Sequence, residues 1–150
     1  PYEVTGVYLV DQWRKIGLNV THQPLEGGPY FNDLRQGNFD AGVDFDCEFM
    51  DEPDLYLLKY LSSDKSPVNY ARYKDATLDE LYDRQSRMLD LQDRLPIIRQ
   101  MEKRAIAEQA YQFPILWWQR VIPHNSRLKG WKIGPSHYVN QDLRDVWLGQ

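Results

Sequence analysis

Apolar positions in residues 5–16 recur at Val7, Leu9 or Val10, Trp13 and Ile16, with Asp11, Gln12, Arg14 and Lys15 between them. This is the helical period, and Gly17 supplies a stop, so the spacing predicts a helix. Residues 18–25 alternate instead, with Leu18 and Val20 set against Asn19 and Thr21 and Pro24 near the end, which reads as a short strand. A helix handing on to a strand is the start of an α/β arrangement. Gly27-Gly28-Pro29 turns the chain, and Tyr30, Phe31 and Leu34 sit at helical spacing before Gly37-Asn38 closes a second short helix.

Residues 39–49 alternate almost perfectly. Phe39, Ala41, Val43, Phe45, Cys47 and Phe49 fall on one face, and Asp40, Gly42, Asp44, Asp46 and Glu48 on the other, so the pattern predicts a strand with one acidic face. Glu52-Pro53-Asp54 breaks it, and Leu55, Leu58 and Tyr60 or Leu61 mark a short helix before a loop at residues 66–70. Thr77, with Glu80 three residues on, resembles a capping box for a helix carrying Leu78, Leu81, Tyr82 and Met88. Asp93 caps the next, with Pro96 in its first turn and an inward stripe of Leu95, Ile98, Met101 or Glu102, and Ala105. The two should form an antiparallel hairpin. Residues 113–118 read as an apolar strand entered through Pro114 and continued by Val121-Ile122, and residues 129–148 as loop with short extended pieces.

A chain of 150 residues and 17.8 kDa can bury its own core without disulfides or metal. Its mean hydropathy of −0.66 and an apolar run confined to residues 113–118 give no candidate for a bilayer-crossing helix. The balance of 18 basic against 22 acidic residues, a net −4, disfavours nonspecific binding to nucleic acid or anionic lipid. Cys47 is the single cysteine and cannot close an intrachain disulfide. No positive stretch followed by an apolar one appears after Pro1, so an export signal is absent or lies outside this sequence.

Charge changes the picture most in one place. Asp40, Asp44, Asp46, Glu48, Asp51, Glu52 and Asp54 concentrate −7 in residues 40–54 and leave the rest of the chain at +3. Clustered carboxylates persist best where a positive partner arrives, so this stretch is a candidate lining for a cationic ligand. The plainer reading is a wet strand face paired with lysines and arginines from elsewhere. Catalysis has less to recommend it. Asp44, Asp46 and Glu48 on one strand face would lie about 7 Å apart, near the separation used in glycoside hydrolysis, but any acidic strand does the same. Cys47 falls on the apolar face, away from any nucleophile signature with His22, His124 or His137, and the spacings for zinc, calcium and phosphate loops are missing, so no cofactor is implied. Of the adjacent Trp117 and Trp118, alternation lets one indole pack while the other faces outward.

The order of motifs resembles a known family. Trp13-Arg14-Lys15-Ile16-Gly17-Leu18-Asn19-Val20, then Tyr30-Phe31-Asn32-Asp33-Leu34-Arg35-Gln36-Gly37-Asn38-Phe39-Asp40-Ala41, Glu52-Pro53-Asp54, Asn69-Tyr70-Ala71-Arg72-Tyr73, Phe113-Pro114-Ile115-Leu116, Leu128-Lys129-Gly130-Trp131 and Asp142-Leu143-Arg144-Asp145-Val146-Trp147-Leu148 together look like the C-terminal part of an extracellular solute-binding protein of family 5, serving an ABC importer. The resemblance implies one α/β lobe of a two-lobed, hinge-closing, periplasmic or surface-anchored receptor and no enzyme. Residues 1–120 would be the second-lobe portion and residues 121–150 the segment returning toward the first lobe. Partners implied are a small polar or peptide ligand, the permease's transmembrane subunits and the first lobe, with self-association through a bare sheet edge as a further expectation. In the family's peptide binders a carboxylate four positions before the Pro of the Asp-Pro motif anchors the peptide amine; here that position is Phe49, with Glu48 beside it. Asp46 stands where many relatives carry Trp, so the implied pocket, Asp46, Cys47, Glu48, Phe49 and Met50, is unusually acidic and suits a cationic ligand. Sugar or opine capture on the same scaffold, and a carboxylate-dependent hydrolase, are the alternatives.

Overall fold

A computed structural model of the chain describes residues 2–47, 50–119, 121–134 and 143–150. They divide into two units, Pro1–Phe45 and Asp46–Gln150.

In the first unit α1 spans Tyr2–Lys15, with Glu3 in its first turn and Arg14 and Lys15 in its last, each sign placed to oppose the helix dipole. It ends as predicted at Gly17, whose φ of +89° suits a residue without a Cβ, while Leu18 N–H closes back on the Trp13 carbonyl at 3.0 Å. The following strand does not form. Residues 18–26 have no regular secondary structure, and the Val20 carbonyl accepts from Arg14 Nε and Nη2, at 3.1 and 2.7 Å, in place of a neighbouring strand. His22 lies over Gly6 so closely that a Cβ there would stand 2.6 Å from its Nε2. α2, Gly27–Gln36, is the predicted short helix; it stops at Gly37, φ +74°, and buries Leu34.

The described residues of the acidic alternating stretch, 39–47, are likewise in no ladder, and the chain bends at Asp40 and Ala41. The alternation survives in part, since Phe39, Val43, Phe45 and Cys47 are half-buried and Asp40 and Asp46 exposed, although Ala41 is exposed and Asp44 half-buried. Side-chain contacts replace strand pairing: Tyr30 Oη donates to the Val43 carbonyl, and the Phe45 ring meets Tyr2 and Phe31 at 5.5 and 6.0 Å. The last two residues of the expected strand, Glu48 and Phe49, lie outside the described residues.

The second unit is built on helices. α3, Pro53–Leu57, runs into a 3₁₀ turn at Leu58–Tyr60; α4 is Ala76–Gln85; α5 is Leu91–Glu102 and widens into a π-helical turn at Lys103–Glu108. α4 and α5 pack together as the expected hairpin, and Leu57, Leu78, Leu81, Ile97, Ile98, Met101 and Ala105 form the core. The caps differ from expectation. Asp75, not Thr77, caps α4, because its carboxylate accepts from both Thr77 and Leu78 N–H, at 3.0 and 3.2 Å. Asp90, not Asp93, caps α5 by accepting from Gln92 N–H at 2.7 Å, which moves Pro96 into the helix interior. The inward stripe is correspondingly Arg94, Ile97, Ile98, Met101 and Ala105.

The apolar segment at residues 113–118 is not a strand, and both of its indoles are exposed, Trp117 at 87% and Trp118 at 56%. Among the described residues the sheet is one antiparallel pair, β1 (Leu128–Lys129) with β2 (Trp147–Leu148), in the region expected to hold short extended pieces. Gly130 makes the pair close, since its φ is +75° and a Cβ would strike the Asp145 carbonyl and the Trp147 ring. The fold is therefore mixed α/β, dominated by helix. No helix among the described residues is long and apolar enough to cross a membrane.

Candidate functional site

The five residues singled out by sequence meet three different fates. Asp46 is exposed, with its carboxylate 3.6 Å from Lys59 Nζ in the 3₁₀ turn. Cys47 is half-buried and Met50 exposed, while Glu48 and Phe49 lie outside the described residues. Two open surface hollows of about 350 Å³ are lined by Glu80, Asp83, Arg84 and Arg87 and by Val7, Val10, Asp11, Arg14, Thr21 and His22. Neither includes Asp46, Cys47 or Met50. His124 sets its ring against Trp131 at 5.3 Å, and His137 is outside the described residues. No cluster of three or more His, Cys, Asp or Glu side chains suited to a metal occurs among the described residues.

What the structure adds is the way the acidic stretch ends. Glu52 caps α3, its carboxylate accepting from Asp54 N–H at 3.4 Å. The same oxygen accepts from Arg94 Nη2 at 2.6 Å, and Nη2 also reaches Asp54 Oδ1 at 2.9 Å. Arg94 is only 8% exposed although it carries a full charge, and its Nε donates to Gln85 Oε1 at 3.0 Å. Gln85, wholly buried, returns its amide to Asp54 Oδ1, and Tyr82 Oη donates to the Asp54 carbonyl. The hydrogen bond from Arg94 holds the Glu52 carboxyl below the usual range against the opposing effect of burial, and reciprocally raises the guanidinium. Three of the seven clustered acids, Asp46, Glu52 and Asp54, are thus paired with cations of α5 and the 3₁₀ turn, as the plainer reading of the cluster requires.

A second polar network ties down the loop between the 3₁₀ turn and α4. Besides capping α4, Asp75 accepts from Arg104 Nε at 2.7 Å and from Tyr111 Oη at 3.3 Å. Burial would raise this carboxyl, yet Arg104 and the two helix N–H groups bring it below its ordinary value. Asp79 behaves alike: burial opposes ionisation, but Ser62 and Lys65 outweigh it. The Tyr73 ring lies flat on Tyr111, centroids 3.6 Å apart and planes within 5°. Burial, reinforced by Glu102 and Asp46, pushes the Tyr60 hydroxyl up to about 12. Sequence reasoning passed over Arg94, Gln85, Lys59 and Asp75. Arg94 alone left a legible sign, a charged residue one turn before Ile97 and Ile98 on the inward stripe of α5.

Comparison with protein-family models, with curated proteins and with solved structures gives no match for this chain.

Proposed function

We propose that the chain is part of a solute receptor for an ABC importer, a periplasmic-binding-protein-like lobe that takes up a small polar, cationic ligand through Asp46, Cys47, Glu48, Phe49 and Met50. The single observation that supports this reading is a strongly acidic segment whose near end is exposed at Asp46 while its far end is fixed by a buried guanidinium. Asp46 offers its carboxylate at the surface beside Lys59 while Arg94 holds Glu52 and Asp54 in place, and side chains already held cost less to order on binding. The receptor would work by capture: a ligand favouring the closed arrangement of two lobes shifts the population toward it, and no bond is made or broken. It would lie outside the cytoplasmic membrane and pass its ligand to the transmembrane permease. The order of sequence motifs that resembles family 5 supports the same reading.

The test is a thermal-shift screen of the complete gene product against polyamines, dipeptides, oligopeptides, opines, oligosaccharides and nickel chelates, since a ligand that binds only the folded state raises Tm. A stabilising amine or guanidine whose effect disappears in Asp46→Asn or Glu48→Gln is the expected result. Stabilisation by sugars alone, unchanged in those variants, would replace the cationic ligand with a carbohydrate, a reading favoured by the two exposed indoles at Trp117 and Trp118. Turnover of a glycoside that vanishes in Asp46→Asn would overturn the receptor reading.

A further inference from the structure

We infer that the hollow between α1 and residues 20–22 is a binding site for a small carboxylate with a short apolar end. It makes no use of the acidic segment and does not depend on the capture reading. Val7, Val10, Asp11 and Arg14 stand at i, i+3, i+4 and i+7 and so share one face of α1, and Thr21 and His22 complete a hollow of about 350 Å³. Two contacts hold its walls together. Arg14 gives Nε and Nη2 to the Val20 carbonyl at 3.1 and 2.7 Å, which ties the segment to the helix and orients the guanidinium. His22 rests on Gly6, where a Cβ would stand 2.6 Å from Nε2 and 3.0 Å from Cδ2. Glycine is a poor residue inside a helix, and here the bare backbone is what lets the imidazole lie against α1.

The ligand class follows from which polar groups keep bonding capacity. Asp11 is answered within the helix, its Oδ2 accepting from Lys15 Nζ at 2.6 Å and from Gln12 Nε2 at 3.0 Å. Arg14 has no carboxylate partner among the described residues; its fork meets only a neutral carbonyl, and Nη1 remains free to donate. His22 makes no hydrogen bond among the described residues, and with its Nε2 edge turned onto Gly6, Nδ1 lies on the far side of the ring. A carboxylate accepts from a guanidinium and an imidazole together, whereas an amine would meet an uncompensated positive charge. Val7 and Val10 offer apolar surface beside these donors, so a ligand with an aliphatic end covers what a bare inorganic anion would leave wet.

The experiment follows the amide NMR spectrum of the isotope-labelled chain during titration with isovalerate, isopentylamine and inorganic phosphate, in wild type, Arg14→Gln, His22→Phe and Arg87→Gln. The expected result is a saturable response to isovalerate at the amides of residues 7–14 and 20–22, with Kd at or below about 5 mM. Binding should be at least about tenfold weaker in Arg14→Gln and about threefold or more weaker in His22→Phe, which keeps a ring on Gly6 and loses only its nitrogens. Arg87→Gln, which removes the same charge from the other hollow, should leave binding unchanged. No saturation below about 50 mM overturns the inference, as does an equal response to isopentylamine. A response to phosphate as strong as that to isovalerate overturns the assignment of an apolar end. Binding as tight as wild type in Arg14→Gln or His22→Phe, or weakened as much by Arg87→Gln as by Arg14→Gln, overturns the site. Because Arg14 also holds Val20, a variant of Arg14 that disturbs the fold is set aside and His22→Phe, which leaves that tie intact, decides.

Discussion

The α4–α5 hairpin and the stretch at residues 113–121 are both rich in apolar side chains, yet they end in opposite environments. Leu78, Leu81, Ile97, Ile98 and Met101 are buried, whereas Phe113, Ile115, Leu116, Trp117, Trp118 and Val121 are each at least 40% exposed. The hairpin finds its partner a short turn away, at residues 86–90, and the period of each helix aims its stripe at the other. The later stretch has an equally strong pattern but no ladder partner among the described residues. An apolar pattern therefore says which side of a segment must be covered, and burial follows only where something complementary lies within reach.

Four experiments would break or sharpen this contrast. The largest effect belongs to Leu78→Ala: Leu78 is wholly buried, and truncation at such a site costs about 2–5 kcal/mol in urea unfolding. A loss below about 1 kcal/mol would show that the hairpin is not the principal core. Asp75→Ala comes next, with an expected loss of roughly 1–3 kcal/mol, because it removes a helix cap and leaves buried hydrogen-bond donors unmet. Thr77→Ala, changed at the cap position expected from sequence, should cost less than about 0.5 kcal/mol. Equal losses in the two variants would reverse the assignment of the cap.

Acid provides the third test. Glu52, Asp75 and Asp79 all titrate below their ordinary values in the folded chain, so as pH falls the unfolded state takes up protons first. Their stabilisation is complete above the ordinary carboxylate range and is lost as pH drops through the lowered folded values, so the urea midpoint should fall below about pH 4. In Asp75→Asn the fall should be shallower; a profile as steep as wild type would mean that Asp75 contributes little. The smallest effect is expected from Trp117→Ser, which should alter stability by no more than about 0.5 kcal/mol. A loss above 1 kcal/mol would mean that the exposed stretch is covered in solution.

Helices were more legible than strands. α1, α2 and the hairpin follow from spacing and stop residues because a helix satisfies its own backbone, whereas a strand depends on a neighbour that local pattern does not reveal. Residues 18–25 and 39–49 alternate and residues 113–118 are an apolar run, and none of the three is in a ladder among the described residues. The caps were missed by two or three residues for a related reason: Asp75 and Asp90 outcompete Thr77 and Asp93 through contacts that only the folded geometry shows. At the candidate site the acidic cluster was evident from composition, but its attachment was not, since Arg94 lies 42 residues from Glu52 and 40 from Asp54.

That separation bears on the order in which the chain assembles. The hairpin closes over a turn of five residues, so it can form early and at small entropic cost, whereas the Arg94 attachment closes a loop several times longer. Loop length thus predicts that the hairpin belongs to the folding nucleus and the guanidinium contact to a later event. Replacing Leu78 should slow folding, whereas replacing Arg94 should leave the folding rate nearly unchanged and hasten unfolding.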